Sequence, residues 1–451
     1  LARLVIVSNR VPPIGRGSAT AGGLATALQD AMKRTDLLWF GWSGETSDRR
    51  HPTVTTQGLR SRALLDLTEE EHRLYYTGFC NGTLWPLLHD RFGLAEFRRE
   101  EEEAWRIVNA RFAEALLPLL RPDDVIWVHD FHLFPLGAQL RARGARQAIG
   151  FFLHVPFPPP ALFAALPRGD ALLRDLGAYD LIGLQTKDDV AHLQTALAGV
   201  GLAPELGAYP VGIDAEGFAR AATRATARRD VTRFRESLGG RRLIFGVDRL
   251  DYSKGLPQRL NGYADLLKRF PQHRGRVTFP QCAPVSRGEV RHDRMLRREL
   301  DELVGRINGE FAEVDWVPLR WTTRPVARGV LAGFLGVARV ALVTPLRDGM
   351  NLVAKEFVAA QPPEDPGVLV LSRFAGAASE LEGALLVNPN DPDEIAEVLD
   401  AALSMSLGER RARWRRDYDH LRASGPNGWS RAFLSRLSEV ASARLMDQAN
   451  G

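Results

Sequence analysis

A chain of 451 residues that is 45% hydrophobic and 25% charged holds enough apolar material for two or three domains, which excludes a dominantly disordered protein. The net charge of +4 is small for this length, and the basic clusters at 220–235 and 291–298 are broken by acids and apolar residues, so no nucleic-acid partner is expected. Cys80 and Cys282 are the only cysteines, too few and too far apart for a disulfide framework or a metal knuckle.

The first apolar run, Leu4–Val7, opens the chain with no signal-peptide pattern before it. No later run approaches the length of a membrane span, so a soluble, cytoplasmic protein without membrane partners is expected. After this strand come Ser8-Asn9-Arg10 and a small-residue loop to Ala21-Gly22-Gly23-Leu24, where a helix starts. The glycine pair lets backbone approach a ligand and Arg10 can clamp a phosphate; a flexible N-terminal loop is an equal reading. Leu38–Phe40 is the second strand. Tyr75-Tyr76 to Trp85-Pro86 supplies either aromatic walls for a sugar or a packed helix edge. Val125–Val128 runs into His129-Asp130-Phe131-His132, and Ile149–Val155 carries His154. Asp130 and His154 are candidates for holding sugar hydroxyls or a developing positive charge, whereas His129 and His132 read as structural. Leu181–Leu184 follows, and Tyr209–Asp214 reads as a hinge strand entering an Arg-rich helix.

The second half repeats the alternation, with strands expected at Arg242–Val247, Val277–Phe279, Val314–Val317, Val340–Val343, Val368–Leu371 and Ala384–Val387. Strands alternating with helices imply an α/β protein of two Rossmann-like domains, their parallel sheets facing a central cleft. The domains are read as 1–213 and 214–428, with a C-terminal helix at 429–451 crossing back to the first. Lysine occurs only at positions 33, 187, 254, 268 and 355, which makes Lys254 and Lys355 conspicuous. Arg249 and Lys254 put two positive charges on one loop after a buried strand, which suits a diphosphate, and Arg287 adds a further cation.

The densest chemistry is Thr344-Pro345-Leu346-Arg347-Asp348-Gly349-Met350-Asn351-Leu352-Val353-Ala354-Lys355-Glu356. Gly349 allows an unusual backbone, so amides from Asp348 to Leu352 can point outward together, and a helix beginning near Met350 adds its positive end. Together they favour a phosphate or diphosphate. Glu356 lies one turn beyond Leu352, where a carboxylate accepts hydrogen bonds from sugar or ribose hydroxyls. Taken alone, the segment reads equally as an ordinary strand-to-helix loop with a surface acid.

In order along the chain, Val7-Ser8-Asn9-Arg10, Ala21-Gly22-Gly23-Leu24, Trp39-Phe40-Gly41-Trp42, Tyr76 with Trp85-Pro86, His129-Asp130-Phe131-His132-Leu133, Arg249-Leu250-Asp251-Tyr252-Ser253-Lys254-Gly255 and the segment from Thr344 closely resemble the trehalose-6-phosphate synthase family. These are retaining glycosyltransferases of the two-Rossmann-domain (GT-B) type. The resemblance implies transfer of glucose from a nucleoside-diphosphate glucose to glucose 6-phosphate, with no cofactor and no metal. It implies that Arg249 and Lys254 grip the donor diphosphate, helped by the amides of Gly349, Met350, Asn351 and Leu352, with Gly22 and Gly23 near the phosphates. Asp348 would hold the donor glucose and Glu356 the ribose. Arg10, Tyr76, Trp85, Asp130 and Arg287 would define the acceptor pocket, and His154 would lie beside the transferred glucose. Arg249, Lys254, Asp130 and His154 would thus act at the reacting centre; a homo-oligomer is left open.

Two segments depart from the family pattern: Phe279-Pro280-Gln281-Cys282 and Pro318-Leu319-Arg320-Trp321. They lie where the family binds the nucleobase. Uridine is the family default, and the extra arginine suits guanine's acceptor edge, so UDP-glucose and GDP-glucose both stand as donors. Three other readings compete. They are a pseudo-glycosyltransferase joining an activated cyclitol to a phosphorylated aminocyclitol, a pyridoxal-dependent phosphorylase using Lys355, and a silent sugar-phosphate sensor.

Overall fold

Alternate residues of the buried strands feed two cores, and this sets the architecture of the second half. In the computed structural model, which describes residues 2–11, 36–285, 291–425 and 427–450, Leu243 and Phe245 face one core while Ile244 faces the other. Ala341 and Val343 oppose Val340 and Leu342 in the same way, as Leu369 and Leu371 oppose Val368 and Val370. A strand covered on both faces must be apolar throughout, which is why these segments read as continuous hydrophobic runs.

Two compact units result, Leu1–Val211 with Asn427–Gly451 and Gly212–Pro426, dividing two residues before each boundary read from the sequence. The first holds an eight-stranded sheet in the order β3-β4-β2-β1-β5-β6-β7-β8. Its strands are β1 (Leu4–Arg10), β2 (Leu37–Thr46), β3 (Thr53–Gln57), β4 (Arg60–Leu67), β5 (Val125–His129), β6 (Ala148–Phe152), β7 (Leu181–Leu184) and β8 (Leu206–Ala208). All pairs are parallel except β3 with β4. The second unit holds six parallel strands, β9 (Arg242–Val247), β10 (Val277–Cys282), β11 (Leu319–Thr322), β12 (Val340–Val343), β13 (Val368–Ser372) and β14 (Leu385–Val387). Their order is β11-β10-β9-β12-β13-β14. In each sheet the order reverses beside the first strand, between β1 and β5 and between β9 and β12, and the carboxyl ends at such a reversal form the usual ligand crevice.

The helix Gly428–Asn450 belongs to the first unit. Phe433 stacks on Trp127 at 4.9 Å and 13°. Gly150 and Gly183 make room for it, since a Cβ on either would come within 2.8 Å of the Phe433 ring. No helix among the described residues is long and apolar enough to cross a membrane.

Several local expectations are corrected. Val314–Val317 is not a strand: Glu313 and Trp316 pair across a tight turn, Val314 is fully exposed, and the strand begins at Leu319. The apolar run there reflects one buried side chain, Trp316, whose indole donates to the Val277 carbonyl at 2.8 Å. The antiparallel hairpin β3–β4 went unread because β3 is exposed throughout and carries no buried alternation. Tyr209–Asp214 is irregular, and Asp214 instead caps the helix Ala215–Ala225 by accepting from the Gly217 amide at 2.8 Å. The run read as Ile149–Val155 stops as a strand at Phe152.

Candidate active site

In the first unit the candidate residues gather at the carboxyl ends of β1, β5 and β6. Arg10 is the exposed last residue of β1; its guanidinium lies 5.7 Å from the Trp42 ring and over Gly44, where a Cβ would be 2.5 Å from Nη2. Tyr75 and Tyr76 sit on a π-helix, His72–Leu84, a rare geometry often found at functional sites. Adjacent tyrosines then face different surroundings. Tyr75 is buried and donates to Asn9 Oδ1 at 2.6 Å, while Tyr76 stacks between His72 (5.4 Å, 30°) and His132 (6.0 Å, 13°). Trp85 is buried with its ring 4.0 Å from His89 and 5.8 Å from Phe131.

Asp130 has φ 76°, an uncommon conformation for a residue with a side chain. Its amide donates to the Phe152 carbonyl at 2.8 Å, and its Oδ1 accepts from the His154 amide at 3.3 Å. The Asp130 carboxylate and the His154 backbone are thereby tied beyond the ends of neighbouring strands. His154 Nε2 lies 3.0 Å from His129 Nδ1. Burial pushes His154 down to about 3 and drives His129 well below the ordinary imidazole value, with a second contribution from His154. Both rings are therefore neutral at physiological pH.

In the second unit the loops after β9 and β12 meet at the sheet's reversal. Lys254 Nζ lies 2.6 Å from Asp348 Oδ2, an oxygen that also accepts from Asn351 Nδ2 at 3.0 Å. The helix expected to begin near Met350 starts at Leu352 and is capped by Asn351, whose Oδ1 accepts from the Ala354 amide at 3.2 Å. The left-handed backbone of this turn belongs to Asn351, with φ 75°. Arg249 is partly exposed, 3.7 Å from Asp251 Oδ2, and Asp251 in turn receives the Ser253 amide at 2.9 Å. Glu356 is 3.5 Å from Arg328, yet burial outweighs that cation and pushes its carboxyl up to about 7.

Sequence reasoning missed Arg259. Its buried guanidinium donates to Thr344 Oγ1 at 2.9 Å, Gln281 Oε1 at 3.0 Å and the Lys254 carbonyl at 3.3 Å, and it pairs with Asp248. One side chain thus joins the ends of β9, β10 and β12 to the Lys254 loop. An arginine inside a helical pattern carries no local sign of this. Lys355 is buried and paired with Glu380 at 2.6 Å, so its ammonium is held by a carboxylate. Arg320 donates to Ser237 Oγ at 2.7 Å and to the Ser237 carbonyl at 2.8 Å. Gly22, Gly23 and Arg287 lie outside the described residues.

The sequence model of glycosyltransferase family 20 matches residues 14–439. The chain belongs to glycosyltransferase family 20. Within that family it is 47% identical over 457 residues to a trehalose-6-phosphate synthase of Sinorhizobium fredii, covering 97% of this chain and 98% of the relative. A UDP-forming alpha,alpha-trehalose-phosphate synthase from Burkholderia xenovorans, solved in complex with glucose-6-phosphate, superimposes with TM-score 0.93 at 43% identity, covering 97% of this chain and 100% of that one. An E. coli structure bound with UDP-2-fluoro glucose gives TM-score 0.91 at 44% identity, with 97% and 99% covered. The two parallel-sheet units of this family 20 chain are those of a GT-B glycosyltransferase.

Proposed function

We infer that this glycosyltransferase is an α,α-trehalose-6-phosphate synthase, transferring glucose with retention from UDP-glucose to the anomeric hydroxyl of glucose 6-phosphate. The observation that carries the reading is the Lys254–Asp348–Asn351 knot at the reversal of the second sheet, in a chain whose relatives over nearly full length are trehalose-6-phosphate synthases. Arg249 and Lys254 neutralise the departing diphosphate, and the amides opening the helix Leu352–Ala360 receive its oxygens. Asp348 orients the donor glucose, and Glu356 accepts from the ribose hydroxyls. Arg10 binds the acceptor phosphate together with Arg287, while Tyr76, Trp85 and Asp130 shape the acceptor pocket. His154 stands beside the transferred sugar, where a neutral ring adds no repulsion to an oxocarbenium-like centre. The acceptor hydroxyl attacks from the face the diphosphate leaves, and the diphosphate takes its proton. Interactions of fixed cations that strengthen as negative charge collects on the leaving group raise turnover more than affinity. A cytoplasmic setting suits both charged substrates.

UDP is preferred over GDP in this reading because Arg320 is held by Ser237. The test is incubation of purified protein with UDP-glucose or GDP-glucose and glucose 6-phosphate, following nucleotide release and the disaccharide product. Trehalose 6-phosphate formed faster from UDP-glucose is expected. No disaccharide phosphate from either donor would sink the assignment, and faster reaction of cyclitol acceptors would favour the pseudo-glycosyltransferase.

A further inference from the structure

The turn that opens the helix Leu352–Ala360 is itself held by a second turn. β13 ends at Ser372, and the chain after it runs beside the loop after β12 as a short parallel bridge between Ala375 and Asp348. The Asp348 amide donates to the Phe374 carbonyl at 3.2 Å, the Gly376 amide to the Asp348 carbonyl at 3.2 Å, and the Ala377 amide to the Met350 carbonyl at 2.8 Å. Position 376 must be glycine for this approach, since a Cβ there would lie 1.9 Å from the Gly349 carbonyl oxygen. The backbone from Asp348 to Met350 is thus fixed at three points by a segment remote in sequence. One consequence corrects the expectation for these amides: that of Asp348 is taken up by Phe374 and does not face a ligand.

The same segment carries Glu380, just past the short helix Gly376–Ser379. Its Oε2 lies 2.6 Å from Lys355 Nζ, with side chains 11% and 1% exposed, and its Oε1 is 3.3 Å from His420 Nε2. The contact with Lys355 is an ion pair without an aligned hydrogen bond at Oε2. Desolvation offsets much of the attraction within such a buried pair, and apolar side chains of similar volume often fill its place as stably, so stability is a poor account of it. What it joins is more telling: Lys355 stands one turn past the cap Asn351, and Glu380 belongs to the segment that holds Asp348 to Met350. We propose that Glu380 is a positioning residue for the nucleotide-sugar donor, which through Lys355 fixes the helix Leu352–Ala360 against the turn Phe374–Ala377 so that the helix-opening amides are in place before the diphosphate arrives. Donors set in advance need no reorganisation as charge develops on the leaving group. This inference rests on the donor role given to those amides above. Glu380 acts through Lys355 and the backbone, not on the reacting atoms.

The double variant Lys355→Met with Glu380→Leu removes the pair without leaving a buried charge alone, so a purely structural role and a positioning role separate in it. Its Tm should stay within about 4 °C of the parent. Its kcat/KM for UDP-glucose should fall on the order of tenfold to a hundredfold, with KM for glucose 6-phosphate changed by less than about twofold. Calorimetric titration with UDP should show Kd raised on the order of tenfold. Gly376→Ala keeps the pair but pushes the Gly349 carbonyl away, and should give the same loss confined to the donor. Parent-like kcat/KM for UDP-glucose and parent-like UDP affinity in the double variant overturn the proposal, as does a loss shared equally by donor and acceptor. If the double variant fails to fold, parent-like UDP affinity in Gly376→Ala overturns it. A parent protein that makes no disaccharide phosphate removes the synthase reading and leaves the UDP titrations to decide; a parent that binds no UDP overturns the proposal as well.

Discussion

Lys254 and Asp348 are each held by the other before any ligand arrives, with side chains only 10% and 15% exposed. The cation's work comes when negative charge collects on the leaving diphosphate. Lys254→Ala should therefore lower kcat on the order of a hundredfold while KM for glucose 6-phosphate changes little. Steady-state kinetics check this, and a rise in KM at unchanged kcat would contradict it. Glu356 has the opposite character, a carboxyl kept partly protonated by burial. Its folded value of about 7 lies above its ordinary 4.5, so its contribution to stability is complete below about 4.5 and is lost as pH rises through about 7. Glu356→Gln stays neutral at every pH. It should melt above the parent at about pH 8, match it near pH 4, and bind UDP more weakly in a titration calorimeter. The placement of Arg249, Lys254, Asp348 and Glu356 after strand ends and in the opening turns of a helix was legible because such features are local. The counter-charges that tune them, Arg328 on Glu356 among them, were not, since nothing in their own segments marks the partner.

At the scale of elements, the site depends on how loops are pinned to strand ends. Gly255 has φ 62°, and a Cβ there would lie 2.3 Å from the Thr344 carbonyl oxygen. That close approach lets the Lys254 loop rest on the end of β12, where Leu346 donates to the Ser253 carbonyl at 2.8 Å. Gly255→Ala combines left-handed strain with a backbone clash and should cost about 2–4 kcal/mol by denaturant titration, with kcat falling further than Tm alone explains. Melting unchanged within about a degree would show that the loop yields without cost. The buried strands were readable because apolar runs covered on both faces have few alternatives. The π-helix His72–Leu84 was not, because its register is set by what Tyr75 and Tyr76 must reach: Asn9 for one, an imidazole stack for the other.

Each of the two units carries its own sheet and core, so they should respond separately to perturbation. Phe433 is fully buried in the first unit, stacked on Trp127 and seated over Gly150 and Gly183. Phe433→Ala should destabilise that unit by about 3–5 kcal/mol. UDP bound at the second sheet should raise the transition of the second unit, by RT ln(1 + [L]/Kd) for ligand that binds only the folded form. Differential scanning calorimetry with and without UDP distinguishes the two; a uniform shift of one transition would mean that the units melt together.

From the order of residues alone came the alternation of strands and helices, the charged and small residues at strand ends, and the family resemblance they carry. These follow from chemistry repeated every two or 3.6 residues, which is local in the chain. Tertiary structure alone decided which strands became neighbours. That choice set Arg259 among Asp248, Gln281 and Thr344, placed His129 against His154, and brought Phe433 onto Trp127. A side chain's periodicity names the face it occupies, but the partner on that face is fixed by sheet order and by packing between segments remote in sequence.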